Sequence, residues 1–290
     1  MGLKSAVLIA GPTASGKSAL ALRLARERGG VVVNTDALQV YAGLRLLTAR
    51  PGDPEMAEVP HRLYGTVDPA VRFSTGDWAR AATAVAAETA SAPLIFVGGT
   101  GLYFEALTKG FADVPEVPAE AIAWAEAEVA GLDREARGRL IEARDPAMAA
   151  RLKAPDPQRV IRALAVLRAT GRSLATFQDA AQHGVIEGWT LERMVLDPGR
   201  EVLRERIAGR FEQMLEQGAE TEVRQVLQRK LDPTLPAMKA IGLREIGDWL
   251  SGRITRDEAI DLAVTATRQF AKRQRTWFRS RMADWDHRVG

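Results

Sequence analysis

Residues 5–22 read SAVLIAGPTASGKSALAL. An apolar run, Ala6 to Ala10, leads into Gly11-Pro12-Thr13-Ala14-Ser15-Gly16-Lys17-Ser18, and a helix-compatible stretch follows. The spacing G-x-x-x-x-G-K-S between a strand and a helix is that of a phosphate loop, whose backbone N–H groups wrap phosphate oxygens. Its glycines allow turns and close backbone approach. Lys17 brings a point charge, Ser18 can reach Mg²⁺, and a helix starting near Lys17 aims its positive end at the anion. Most chains with this loop bind ATP or GTP. The rest of the sequence has to decide whether this one does.

The chain has 290 residues, 46% of them hydrophobic, enough for a sizeable core and for about two domains. With no cysteine, a disulfide framework and a cysteine zinc site are both excluded. The three histidines, His61, His183 and His287, lie far apart in sequence, which argues against a histidine-rich metal site. The N-terminal apolar run is short and passes directly into the loop, unlike a signal peptide. No stretch is long and apolar enough to span a bilayer. A soluble, cytoplasmic monomer is expected. The net charge of +3 and pI near 9.4 lean toward polyanionic partners. The lean is uneven: residues 113–195 carry 11 basic and 13 acidic residues, leaving 29 and 24 elsewhere.

The first part of the chain alternates strands with helices. Val31–Asn34 and Leu94–Val97 read as buried strands, Arg62–Val67 as a further strand, Ser74–Ala90 as a helix, and a helix follows Gly98-Gly99-Thr100-Gly101 to about Thr108. This pattern implies a parallel sheet with both faces covered. Near Asp113-Val-Pro-Glu-Val-Pro118 the pattern changes. Residues 119–130, 134–143 and 157–170 read as helices, broken at Gly131, Asp145-Pro146 and Pro155-Asp-Pro157. Leu191–Leu196 returns as a strand, and helices follow to the end. The expectation is an α/β, P-loop NTPase-like parallel sheet core (1–112 and 196–290), an all-helical insertion (113–195), and a helical C-terminal region.

In open α/β sheets, ligands bind beyond the carboxyl ends of the strands. Asp36 ends one such strand and could hold a metal, act as a base, or cap the short segment after it. Gly98-Gly-Thr-Gly101 could be a second anion nest in which Thr100 donates from its hydroxyl, or a simple turn in which Thr100 caps a helix. Many phosphate-loop NTPases place a metal-binding Asp after an apolar strand; here Leu94–Val97 is followed by two glycines, which weakens the ATPase reading. Arg268, Lys272, Arg275 and Arg279 share one helical face in a segment with six basic residues and no acid. That face could track phosphates or be a solvated surface. Gln158, Arg159 and Arg162 stand at a helix start, suited to nucleic acid or to ordinary exposure.

Nine ordered segments, GPTASGKS, NTDALQVY, LTARP, VPHRL, FVGGTGLYFEAL, DPQRVIRALAVLRATGRSL, RFEQMLEQGAETEV, LPAMKAIGLREI and TRQFAKRQRTWFR, cover the chain nearly end to end. Together they resemble the bacterial tRNA dimethylallyltransferases, also called tRNA isopentenyltransferases. The resemblance implies transfer of a dimethylallyl group from dimethylallyl diphosphate to the exocyclic amine of the adenine just 3′ of the anticodon, with release of diphosphate. It implies that Gly11, Pro12, Thr13, Ala14, Ser15, Gly16, Lys17 and Ser18 cradle the diphosphate, with Ser18 toward Mg²⁺ and Lys239 nearby. Asp36 resembles the family's general base, and Thr100 the residue that hydrogen-bonds the leaving diphosphate oxygen; Lys17 serves catalysis as well as binding. Asp36, Ala37, Leu38 and Gln39, with Gln158, Arg159, Val160, Ile161 and Arg162, match stretches that contact the tRNA anticodon stem-loop.

The sequence departs from the family pattern at Ile122, where an arginine is usual, at Arg62, where a second histidine is common, and at Leu243, which replaces a tyrosine. The alternative is a small-molecule kinase that binds ATP in the same loop, or a non-catalytic RNA-binding protein with a vestigial loop. Intact Lys17, Ser18, Asp36 and Thr100 argue against the latter.

Overall fold

The computed structural model describes residues 4–89, 92–112, 114–180 and 182–289. The expected helix end at Ala90 and the expected domain boundary at Asp113 lie outside the described residues. In chain order the elements are β1 (Ser5–Ala10), α1 (Lys17–Arg28), β2 (Val31–Asn34), α2 (Asp53–Glu58), β3 (His61–Arg62), α3 (Thr75–Glu88), β4 (Leu94–Gly98) and α4 (Gly101–Thr108). The helical stretch holds α5 (Ala119–Val129), α6 (Arg134–Arg144), α7 (Pro146–Ala149), α8 (Pro157–Thr170) and α9 (Leu174–Asp179). Then come β5 (Thr190–Leu196), α10 (Arg200–Glu216), α11 (Ala219–Gln228), a 3₁₀ turn at Pro236–Lys239, α12 (Leu243–Leu250), α13 (Arg256–Arg281) and β6 (Asp286–Arg288).

Six parallel strands form one sheet in the order β3-β2-β4-β1-β5-β6, a P-loop NTPase-like α/β core. Strand periodicity splits its core in two. Ala6, Leu8, Val33, Leu94 and Phe96 belong to one apolar cluster, Val7, Ile9, Val32, Ile95 and Val97 to the other. Small side chains at Ala21 and Ala25 of α1 are buried in the second cluster. In the first, Trp78 of α3 stacks on Tyr103 of α4 with centroids 4.2 Å apart and donates from Nε1 to Asn34 O at 2.9 Å. Helix α3 starts where the sequence says it should: Ser74 Oγ accepts from the Asp77 N–H, and the Asp77 carboxylate accepts from the Ser74 N–H at 2.8 Å.

Two expectations change. The strand expected over Arg62–Val67 ends at Arg62, because Leu63 and Gly65 both adopt φ +63° and leave the extended region. Val67 makes only a lone bridge to Tyr41. The expected insertion, 113–195, is shifted. One compact unit comprises residues up to Thr108 and from Val185, and a second comprises Lys109–Gly184. Residues 190–195 go with the sheet because they pair with Ser5–Ala10 along β1.

The helical unit has its own core, in which Ala125, Val129, Ile141, Met148, Val160, Leu164 and Phe177 are buried. Asp145, buried among them, accepts from Met148 N and Ser173 Oγ, both at 3.0 Å. Its carboxylate is thus satisfied, as a buried polar group must be.

The sheet register sets up the site. Ala10 pairs with Gly98 and Val195, and Asn34 with Val97, so β1, β2 and β4 end side by side. At that edge Gly98 is obligatory: a Cβ there would stand 2.2 Å from the Thr35 carbonyl carbon and oxygen. Gly98→Ala should destabilise the fold by about 1–3 kcal/mol or more through overpacking. Gly209→Ala, in open space on α10, should stabilise it by about 0.5–1 kcal/mol. Denaturant unfolding of the two variants checks both signs.

Candidate active site

The loop between β1 and α1 is shaped for an anion. Ala14 adopts φ +64° and Gly16 φ +88°, so successive N–H groups turn inward to form a nest. Gly16 then caps α1, which opens with Lys17 and Ser18, and the helix N-terminus faces the same point. Lys17 Nζ donates to Pro12 O at 3.2 Å. Burial pulls its ammonium down to about 8, with Asp36 opposing and Arg210 adding to the depression.

Asp36 follows the end of β2 on a tightly tied turn. Asn34 Oδ1 accepts from Asp36 N at 2.8 Å, and Asn34 Nδ2 donates to Asp36 O at 2.9 Å and Leu63 O at 3.0 Å. Asp36 Oδ1 accepts from Leu38 N at 3.0 Å, so the carboxylate does brace the segment after it. No bond to Oδ2 is made among the described residues. Thr100 stands just before α4 and its carbonyl accepts from Tyr103 N at 3.0 Å, but its side chain does not cap the helix. Its Oγ1 accepts from Ala37 N at 3.0 Å, and its own N–H donates to Thr35 O at 3.1 Å. It therefore anchors the Asp36 turn, and its hydroxyl hydrogen makes no bond among the described residues.

Two functional residues escape sequence reading. Gln274, buried on α13, accepts from Thr13 N at 2.9 Å and donates to Gly99 O at 2.9 Å. One side-chain amide thus joins the phosphate loop to the Gly98-Gly99 turn. Arg210 of α10 donates to Thr13 Oγ1 and adds to the depression of Lys17; burial holds its own guanidinium below the usual range, against the attraction of the Asp36 carboxylate. Arg206, one turn earlier, reaches Ser15 O at 3.5 Å. The i, i+4 arginine pair was a possible signal, but nothing in one sequence aims it at a loop nearly 200 residues away.

The loop, Asp36 and Arg210 share a cavity of about 280 Å³, which Thr100, Gln274 and Arg206 do not line. Thr13 to Ser18, Asp36, Gln39 and Arg210 form its polar part; Leu47, Ile207, Phe211, Met214, Ala240 and Ile241 form an apolar part. Lys239, expected at the diphosphate, is exposed on its 3₁₀ turn; its neighbours Ala240 and Ile241 line the cavity and it does not. Arg210 brings a positive charge to the cavity lining. Gln39 spends its amide nitrogen on Thr48 O and Ala49 O, at 2.8 and 3.2 Å. Among the described residues no cluster of three acids or histidines could hold a metal. A Mg²⁺ ion would rely on the Ser18 hydroxyl, which lines the cavity, and on phosphate oxygens and water, a set that suits this hard ion.

In the helical unit, Asp156 Oδ1 accepts from Gln158 N and Arg159 N at 3.1 and 3.2 Å and caps α8. Gln158, Arg159 and Arg162 are exposed, and desolvation at the base of the Arg162 guanidinium holds it below the usual range. Val160 is fully buried and Ile161 packs on the unit's core, so of this stretch only the polar side chains are presented outward. Ile122 also packs on that core, which accounts for an apolar residue at this position. Leu243 is buried at the start of α12, and Arg62 is exposed.

The Lys17 depression has a measurable consequence. Below pH 8 the ammonium is already charged and a diphosphate monoester should bind with little pH dependence. Above pH 8 binding must bring a proton with it, so affinity should fall by up to about tenfold per unit. Calorimetry between pH 7 and 9.5 checks this; Lys17→Arg, whose charge does not titrate in that range, should flatten the profile.

The chain matches the IPP transferase family over residues 39–281. It is 52% identical over 291 residues to the tRNA dimethylallyltransferase of Chelativorans sp. (strain BNC1), covering 98% of this chain and 99% of the relative. It is 49% identical to that of Methylorubrum populi, covering 99% and 90%. Among solved structures, the full-length tRNA isopentenylpyrophosphate transferase of Bacillus halodurans superposes with TM-score 0.68 at 33% identity, covering 99% of this chain and 90% of the other. A eukaryotic dimethylallyltransferase acting on tRNA superposes with TM-score 0.79 at 26% identity, covering 95% and 70%. The kinase alternative gains nothing from these likenesses. With a phosphate nest, a facing carboxylate and an apolar wall in one cavity, the chain belongs to the IPP transferase family, that of the tRNA dimethylallyltransferases.

Proposed function

We propose that the protein transfers a dimethylallyl group from dimethylallyl diphosphate to the exocyclic amine of the adenine 3′ of the anticodon in tRNA. The observation that carries this reading is the two-part cavity, whose phosphate nest opens beside an apolar wall and not beside a base-reading pocket. Lys17, Arg210 and the N–H groups of Ala14 and residues 16–18 grip the diphosphate, while those of Thr13 and Ser15 are spent on Gln274 Oε1 and Pro12 O; the charge of the grip is worth most as the C1–O bond breaks and negative charge grows on the leaving group. A Mg²⁺ ion would be held on the protein side by Ser18 and would supply further positive charge there. The Thr100 hydroxyl is free to donate to a diphosphate oxygen while its oxygen keeps holding Ala37 N.

The acceptor amine is a weak nucleophile. As its nitrogen bonds to C1 and the diphosphate departs with the C–O electron pair, it must lose a proton. Asp36, fixed at Oδ1 by Leu38 N, presents Oδ2 to take it. The adenine has to leave its stack to reach the cavity, at a cost of a few kcal/mol, lower in a single-stranded anticodon loop than in a duplex. The exposed polar residues Gln158 and Arg159, with Arg162, and the basic face of α13 hold the surrounding RNA phosphates. The helical unit, Lys109–Gly184, acts as the tRNA-contacting domain.

The reading is tested by incubating the protein with an anticodon stem-loop and either dimethylallyl diphosphate or ATP, then analysing the digested nucleosides by mass spectrometry. Dimethylallylated adenosine with the first donor alone supports it; ATP turnover without a prenylated nucleoside would overturn it. Asp36→Asn should keep donor and tRNA affinity within a few-fold and slow single-turnover transfer by about 10²-fold or more. A variant that loses tRNA affinity at an unchanged transfer rate would reassign Asp36 to recognition.

A further inference from the structure

The apolar part of the cavity carries information about the donor that the phosphate loop does not. On α10, Arg206 and Arg210 reach the loop, at Ser15 O and Thr13 Oγ1. On the cavity side of the same helix, Ile207, Phe211 and Met214 recur at i, i+4 and i+7, so they form one stripe. Met214 stands one helical turn past Arg210, about 6 Å farther along the axis. The helix therefore works as a ruler. Its arginines mark where the diphosphate sits, and Met214 marks a point one turn beyond.

A dimethylallyl chain fits that interval. From C1, two C–C single bonds of about 1.5 Å and one shorter C=C bond reach the terminal methyls. A second isoprene unit would need roughly another helical turn of room. The wall is made of tightly packed side chains. Ile207, Phe211 and Met214 are 2%, 5% and 6% exposed, so none of them can swing into solvent to make space. Across the cavity Leu47 is pinned through its backbone: the Glu222 carboxylate accepts from Leu46 N at 2.8 Å and Leu47 N at 3.0 Å. Leu47 and Phe211 close over the start of α12. A Cβ on Gly242 would lie 2.8 Å from Leu47 Cδ2 and 3.3 Å from Phe211 Cε2, and Gly242 adopts φ +97°, a conformation open to glycine. The side chains thus meet the backbone with no slack behind them.

We infer that Met214, backed by Phe211 and Leu47, is the stop that limits the donor to a single isoprene unit. This rests on the prenyl diphosphate reading of the cavity and adds to it the residue that sets chain length. The bond changes are the same for either donor: the acceptor nitrogen bonds to C1, the C1–O bond breaks, diphosphate leaves with the electron pair, and Asp36 takes the proton. Only the space for the tail differs.

The test is a competition. The protein is given an anticodon stem-loop with equal dimethylallyl and geranyl diphosphate, and the two prenylated adenosines are quantified by mass spectrometry. The native protein should strongly favour the five-carbon product. Met214→Ala should raise the ratio of ten-carbon to five-carbon product at least about tenfold, the scale on which pocket-filling methylenes discriminate. Leu47→Ala should move the ratio the same way. Met214→Val, a smaller truncation, serves if Met214→Ala does not fold, and thermal melting establishes that each variant does. A ratio unchanged from native in folded Met214 and Leu47 variants, or a native protein that uses both donors equally, would overturn the inference. If the native protein makes neither prenylated product, the proposed function itself has failed; a native five-carbon product with an unmoved ratio sinks only the role of Met214.

Discussion

One buried amide ties the site together. Gln274 takes the N–H of Thr13 at one end and gives its own to Gly99 O at the other. Thr13 belongs to the loop that grips the anion. Gly99 belongs to the turn whose next residue, Thr100, holds both Thr35 O and Ala37 N, and between those two lies Asp36. The path from nest to carboxylate therefore runs through a single side chain. There is little room for any other arrangement: a Cβ on Gly99 would stand 2.1 Å from Gln274 Nε2 and 3.3 Å from Asp36 Oδ2. Reaction needs the leaving group and the proton acceptor held at a fixed spacing, and a small misplacement is expensive. The sheet register brings the strand ends together; Gln274 sets how closely the loops beyond them approach.

The same helix, α13, carries a basic face on one side and this amide on another. Its bulk covers the loops at the carboxyl edge of the sheet, while α10 lines the cavity next to it. A phosphate loop alone is indifferent to what hangs from the phosphate. In the proposed reading the choice falls to α10, whose arginines reach the phosphate loop and whose Ile207, Phe211 and Met214 offer hydrocarbon where a nucleotide site would need polar groups for a base. The absence of an acid at the end of β4, where glycines instead allow contact with Thr35, belongs to the same specialisation.

Much of this was legible in the sequence because local rules dominate there. The loop, α1, β2, β4, and the Ser74 start of α3 follow from short-range spacing and caps. Asp36 could be singled out as an acid at a strand end. Other features depend on contacts far apart in the chain. Gln274 meets Thr13 across 261 residues, and Arg210 meets it across 197, and neither pairing leaves a local trace. Lys239 is the opposite case: its position in a matching segment suggested the diphosphate, and in the structure Ala240 and Ile241 line the cavity while Lys239 does not. The strand expected over Arg62–Val67 failed because left-handed φ at Leu63 is invisible to hydrophobic alternation. The expected insertion took in residues up to 195, although Leu191–Leu196 was itself read as a strand, and Thr190–Val195 pair along β1.

The central claim is that one buried amide holds the nest and the carboxylate at reacting distance. Its most direct test is Gln274→Met, which keeps the bulk of the side chain and removes both hydrogen bonds. Thr13 N and Gly99 O are then left unsatisfied, at about 1–3 kcal/mol each. Measured together on this variant, thermal stability, donor affinity and single-turnover transfer separate positioning from mere packing. The account predicts a folded protein whose transfer step is slowed by about 10²-fold at saturating donor, with a smaller change in donor affinity. A folded Gln274→Met protein that transfers at the native rate would contradict it.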